Sequence, residues 1–153
     1  MKKLITLSLL FCASFAMFGQ VCEPNDLYSD TTGVFPPPYD AMVTPNGGIG
    51  DTACIGNYYE FVFTVAVGQT IEIVPGFPQT LDSVIVNSIV GIPEGLELVC
   101  NPTNCTYPSS FFGCAVLRGT PTDANAAGDY NLTINTDVFT GGGAVGIPIT
   151  FPN

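Results

Sequence analysis

The chain has 153 residues, of which 46% are apolar and only 10% charged, with thirteen acids, three basic residues, no His and no Trp. That length suits one domain with a real core and is short for two. Without His, and without lysine beyond Lys3, the usual parts of nucleophilic triads, imidazole metal sites and Schiff-base chemistry are missing.

Lys2 and Lys3 precede an apolar run from Leu4 to Phe18, with small residues at Ala16 and Gly19. This pattern predicts a secretory signal peptide over residues 1–20. The run falls short of the roughly 20 apolar residues a membrane helix needs, and no later stretch comes close, so no membrane span is expected. With the leader removed, thirteen acids face Arg118 alone, a formal charge of −12. Such a chain repels phosphate backbones and anionic lipid, and nucleic acid is excluded as a partner.

Residues 21–57 hold few apolar residues and many turn formers, among them Pro36-Pro37-Pro38 and Pro45-Asn46-Gly47-Gly48. No helix is expected there. The segment reads as an irregular arm packed on the domain, or as a polyproline stretch that docks into an aromatic groove elsewhere.

Five cysteines follow the leader: Cys22, Cys54, Cys100, Cys105 and Cys114. Export favours disulfides over a metal site, since no His and no C-x-x-C pair is present. One thiol is left over. Cys22 with Cys54 is the expected bridge, a closure that would contribute about 3.5 to 4 kcal/mol. Cys100 pairs with Cys105 or with Cys114, and spacing does not choose between them.

From Tyr58 the apolar period becomes two: Tyr59, Phe61, Phe63, Val65 and Val67 share one face, with Glu60 and Thr64 on the other. A short strand over Ile71 to Ile73 ends at Pro75-Gly76-Phe77-Pro78. Further strands are expected at Ser83 to Val90, Leu96 to Cys100, Cys114 to Arg118, Tyr130 to Asn135 and Val145 to Phe151, making seven. No apolar period of 3.6 lasts long enough for a helix, so the fold class is all-β, a sandwich over residues 58–153. Tyr130, two residues before the inward position Leu132, suits a tyrosine corner. Gly141-Gly142-Gly143 would turn the last hairpin.

Three turn motifs, Gly91-Ile92-Pro93-Glu94-Gly95-Leu96-Glu97-Leu98, Gly119-Thr120-Pro121-Thr122 and Ala127-Gly128-Asp129-Tyr130-Asn131-Leu132-Thr133-Ile134, occur in that order. They resemble the immunoglobulin-like domain family of secreted bacterial surface proteins, over about residues 58–151. The elements Cys100-Asn101-Pro102-Thr103-Asn104-Cys105 and Gly113-Cys114 are similar to a cysteine-stapled variant found in proteins exported by type IX secretion. The resemblance implies an immunoglobulin-like β-sandwich that acts as a spacer, stalk or adhesion module, with no catalytic residues to carry over. Members of that group often end in a basic sorting tail, which Ile149 to Asn153 does not match. The chain is therefore expected to be part of a longer one or to remain where its leader delivers it.

Candidates for chemistry are few. Glu94 with Glu97, or Asp123 with Asp129, could be paired as hydrolytic carboxylates, but their spacing favours nothing beyond solvated turns. Asp123, Asp129 and Asp137 lie around the last strands and are the calcium candidates, although no D-x-D-x-D-G loop is present. Tyr107, Phe111 and Phe112 lie on a loop bounded by cysteines and form either a recognition tip or a cover for the open end of the core. The reading is a non-catalytic, secreted or cell-surface module, monomeric or within a longer chain, that serves as spacer or interaction domain for a surface glycan or protein. The alternative is a carbohydrate-binding or adhesive module that uses the 100–114 loop.

Overall fold

The computed structural model describes residues 22–141 and 143–151. The leader expected over residues 1–20 and the middle glycine of the last turn, Gly142, lie outside them. Nine strands follow one another: β1 (Gly33–Phe35), β2 (Tyr59–Ala66), β3 (Thr70–Val74), β4 (Phe77–Val90), β5 (Leu96–Asn101), β6 (Thr106–Pro108), β7 (Phe112–Gly119), β8 (Leu132–Thr140) and β9 (Gly143–Phe151). They make two antiparallel sheets, one ordered β1-β2-β7-β5 and the other β3-β4-β8-β9, with β6 added along β4. The first is the A-B-E-D order and β4-β8-β9 the C-F-G order of an immunoglobulin constant-type sandwich, so the expected fold class is the observed one. The two strands beyond the expected seven are β1 and β6, each three residues long and too short for a period of two to register in sequence.

Strand β2 forms where the sequence predicts it, but Thr64 and Ala66, on the face that alternation would leave to solvent, are buried as well. Phe63 and Val65 are buried in the core between the sheets, Phe61 packs beside them, and the Phe61 and Phe63 rings meet edge to face with centroids 5.0 Å apart. Its partner β7 is buried on both faces over a longer run, Gly113, Cys114, Ala115, Val116 and Leu117. Leu117 faces Phe63, Leu132 and Ile134 in the core. Cys114 and Val116 point to the opposite face, where an ordinary antiparallel sheet meets water. There they pack with Val62, Val99 and Cys22.

The N-terminal segment supplies that cover. Cys22 is bonded to Cys114, the backbone N–H of Asn25 donates to Thr64 Oγ1 at 2.8 Å, and the Tyr28 ring stacks on Phe35 of β1 at 4.2 Å. The expected Cys22–Cys54 bridge is thus replaced by Cys22–Cys114, and Cys54 is an exposed free thiol. The reason is steric. Cys22 lies over the outer face of β7, whereas residues 47–55 run past one end of the sandwich. Cys100 pairs with Cys105, which settles the alternative left open by spacing. The expectation of no helix in this segment holds except for one 3-10 turn at Asp26–Tyr28, capped by the Asn25 side chain.

Pro75-Gly76 ends β3, as expected, and forms the tip of the β3–β4 hairpin, while β4 begins at Phe77 and runs through Pro78 rather than starting at Ser83. Proline is tolerated there because β4 pairs only with β3 until Leu81, where β8 joins it on the other side. Gly95 and Gly119, from two of the turn motifs, touch each other's strands. Both have positive φ, +92° and +140°, and a Cβ on Gly95 would strike the Thr120 carbonyl while one on Gly119 would strike that of Gly95. That close approach lets Thr120 N–H donate to Gly95 O at 3.0 Å.

Chain-entropy arguments give the size of each staple. The Cys22–Cys114 bridge closes a span of 92 residues and the Cys100–Cys105 bridge one of 5. Replacing the first pair by serine is expected to remove about 4 to 5 kcal/mol and the second about 2 kcal/mol, as measured by urea unfolding. Cys54→Ser should leave the midpoint unchanged.

Candidate functional site

The two ends of the sandwich differ. At one end β2 finishes, β7 begins and the β8–β9 turn closes at the Thr140–Gly143 pair. The aromatic loop lies here. Tyr107, a candidate recognition residue, has 0% of its surface exposed and sits among Val65, Val67, Leu81, Cys100 and Val138. Strand β6 puts it there by pairing Tyr107 with Val84. Phe111 packs against it with ring centroids 5.3 Å apart, and Phe111 and Phe112 are half-buried. The Phe111 carbonyl accepts from Val67 N–H at 2.8 Å, which ties the loop to the end of β2. The loop is a lid on the core rather than a tip held out to solvent. An aromatic run between two cysteines reads the same way in either role, so only packing distinguishes them.

The three calcium candidates do not converge. Asp123 and Asp129 lie on the connection between β7 and β8, but Asp137 is in the middle of β8, paired with Ile85 and Gly146. Five residues of strand separate it from Leu132, about 17 Å at the usual rise. Among the described residues no three His, Cys, Asp or Glu side chains are grouped to hold a metal ion. The other acids are also dispersed: Glu97 is 3.5 Å from Arg118 on the outer face of the first sheet, and Glu60 accepts from the Tyr58 hydroxyl at 2.9 Å.

The opposite end carries a cleft of about 770 Å³. One wall is the run from Gly47 to Ile55, and the other is the β7–β8 connection from Pro121 to Tyr130. The floor reaches the core at Leu96, Leu117 and Leu132. Tyr130 is the expected tyrosine corner: its hydroxyl donates to the Ala126 carbonyl at 2.8 Å and holds the second wall in shape. Asn125 reinforces it, giving its side-chain N–H to the Glu94 and Thr122 carbonyls and accepting from Glu94 N–H at 2.8 Å. The walls are joined by a hydrogen bond from Gly56 N–H to Pro121 O at 2.9 Å.

Comparisons of the chain with protein-family models, with curated proteins and with solved structures return no match. The cleft must therefore be read from its own chemistry. It holds Asp51 and Asp129, the rings of Tyr39, Tyr59 and Tyr130, and the exposed Cys54 thiol. No Lys, Arg or His lines it. Burial, with the charge of Asp51 adding to it, pushes the Tyr59 phenol up to about 12. Of the candidates picked from sequence, only Asp129 and Cys54 lie in this cleft. The glycines and alanines that form its walls, Gly47-Gly48 and Ala126-Ala127-Gly128, look in sequence like ordinary loop composition, and nothing in their spacing says that two distant loops face each other.

Burial also pushes the Tyr107 phenol up to about 12. An unfolded tyrosine releases its proton near 10, so Tyr59 and Tyr107 contribute full stability below pH 10 and lose it as pH climbs toward 12. Ultraviolet difference absorbance should resolve Tyr59 and Tyr107 as the last of the six tyrosines to ionise, with Tyr58, held up by its hydrogen bond to Glu60, also late. Combining Tyr59→Phe with Tyr107→Phe should flatten the alkaline fall in denaturation midpoint. Steepening of that fall would overturn the assignment.

Proposed function

We propose that the chain is an exported, non-catalytic immunoglobulin-like module that works as a spacer or interaction domain at or beyond the cell surface. The observation that carries this reading is the burial of Tyr107 on β6, directly after the Cys100–Cys105 bridge. The aromatics a glycan-binding loop would need in the open are engaged in packing, which favours a structural role for that end. The two disulfides fit an oxidising compartment and agree with the leader expected over residues 1–20. No helix among the described residues is long and apolar enough to cross a membrane. The strand order adds support, as do the turn motifs, which resemble those of the secreted immunoglobulin-like surface family.

The first test is expression with the native leader, followed by N-terminal sequencing of exported protein. Cleavage near residue 20 and recovery outside the cytoplasm are expected, and an intact leader on a cytoplasmic product overturns the reading. A glycan array and insoluble polysaccharides then address the alternative. Saturable binding abolished by Phe112→Ala would replace the spacer role with carbohydrate recognition through the 100–114 loop.

A further inference from the structure

An open sheet ends in strands whose outer backbone groups have no ladder partner, and proteins blunt such edges by keeping them short or charged. Here β1 and β6 have three residues each, β5 carries Glu97 and β3 carries Glu72. Strand β9 has neither protection. It runs nine residues from Gly143 to Phe151, pairs with β8 alone, and no charged residue occurs between Val138 and Phe151. Gly143, Ala144 and Val145 are exposed.

The pairing of Thr140 with Gly143 fixes which groups of β9 face outward. Only Gly141 and Gly142 lie between them, so this pair closes the hairpin by exchanging both of its backbone hydrogen bonds. The exchange recurs at every second residue, and Val145, Ile147 and Ile149 turn their N–H and C=O groups to β8. Ala144, Gly146, Pro148 and Thr150 turn theirs away from it. Pro148 agrees with that parity, because a residue without an N–H is tolerated where the group would leave the ladder. It also interrupts the outer edge, so the stretch open to a second strand is the one around Ala144 and Gly146. Between them Val145 stands opposite the buried Val138 on the same face of the sheet, yet 38% of its surface is exposed.

We propose that two copies of this chain pair through these edges, antiparallel about a two-fold axis beside Val145. In that register Ala144 of one copy faces Gly146 of the other, each such pair exchanges two main-chain hydrogen bonds, and the two Val145 side chains cover each other. Moving the axis to Gly146 sets Pro148 against Ala144 and loses a donor in two pairs, so the proline selects the register. Charge selects the occupant. Thirteen acids against Arg118 make copies repel across most of their surface, and at this edge the nearest acid is Asp137, one strand inside and opposite Gly146. Three strand spacings, about 14 Å, part the two Asp137 strands in the pair, beyond the Debye length of about 10 Å at 0.1 M salt. A charged partner finds no ion pair to make along β9, whereas an identical uncharged edge matches it. The ladder from Gly143 to Ile147 is short, so the association is weak and serves chains held close together. The inference deepens the interaction reading by naming the partner and rests on it for where copies meet. Its test is made in solution, so its outcome is separate from that of export.

The full chain, with Cys54→Ser to prevent an intermolecular disulfide, is produced with its leader in an oxidising secretory host, and both native disulfides are verified by mass spectrometry. Sedimentation equilibrium from about 10 μM to about 1 mM should show a reversible mixture of monomer and dimer with nothing larger. Raising salt from about 0.02 M to about 0.5 M should tighten the dimer about threefold, since it screens the acids of the two copies. Ala144→Pro and Gly146→Pro each remove an outward N–H, as Pro148 already does, and should weaken the dimer at least about tenfold without moving the melting temperature of dilute protein. Hydrogen exchange in the unsubstituted sequence should slow with concentration at Ala144 and Gly146 and not along β5. Protein that stays monomeric at the top of the concentration range, a dimer that survives either proline, loosening by salt, exchange at Ala144 and Gly146 that ignores concentration, or association past the dimer overturns the proposal.

Discussion

Strand β7 is buried on both faces, and the rest of the structure follows from that constraint. One face belongs to the core between the sheets, where Leu117 meets Phe63, Leu132 and Ile134. The other carries Cys114 and Val116, which an uncovered sheet would expose to water. A third layer is required, and the segment starting at Cys22 provides it through a covalent bond to β7 itself. The N-terminal segment is therefore part of the fold, and β1 is the point at which it enters the sheet by pairing with β2.

The same requirement explains how the two ends of the sandwich come to differ. Once the N-terminal segment has crossed the outer face and paired as β1, it must return to the start of β2 at the other end. Residues 36–57 make that return, held by bonds such as Gly48 N–H to Pro37 O and Gly56 N–H to Pro121 O. The return path does not seal against the β7–β8 connection, and the cleft lies between them. At the aromatic end the chain is short of irregular material, so Tyr107 and Phe111 close the core directly.

The legibility of the fold in sequence varied with the range of the forces involved. The apolar alternation from Tyr59 to Val67 is local, so β2 could be located from its own residues, as could the first part of β8, which runs on past Asn135 to Thr140, and the corner at Tyr130. The cysteine partners could not be read this way. Closing 92 residues in place of 32 costs only about 1 kcal/mol more in chain entropy, so nearness in sequence hardly biases the choice. Packing across the sheet decided it. The sequence puts the start of β4 at Ser83, six residues after its start at Phe77, because a proline inside a strand is tolerated only where one side is unpaired, and that depends on neighbours distant in sequence. The lid and the cleft are contacts between distant loops, and neither leaves a periodic trace. The kinship with secreted immunoglobulin-like surface modules remains a proposal carried by the turn motifs and the strand order.

The non-consecutive pairing also bears on how the protein must mature. For a chain exported N-terminus first, as proposed above, Cys54 becomes available to Cys22 before Cys114 does, so the earliest available disulfide is not the native one. The native bond joins the first of the five described cysteines to the last, so on that route a Cys22–Cys54 bond, if formed, is resolved by thiol–disulfide exchange. Cys54, left reduced and accessible at the end of this sequence, is chemically the leaving partner such an exchange would produce.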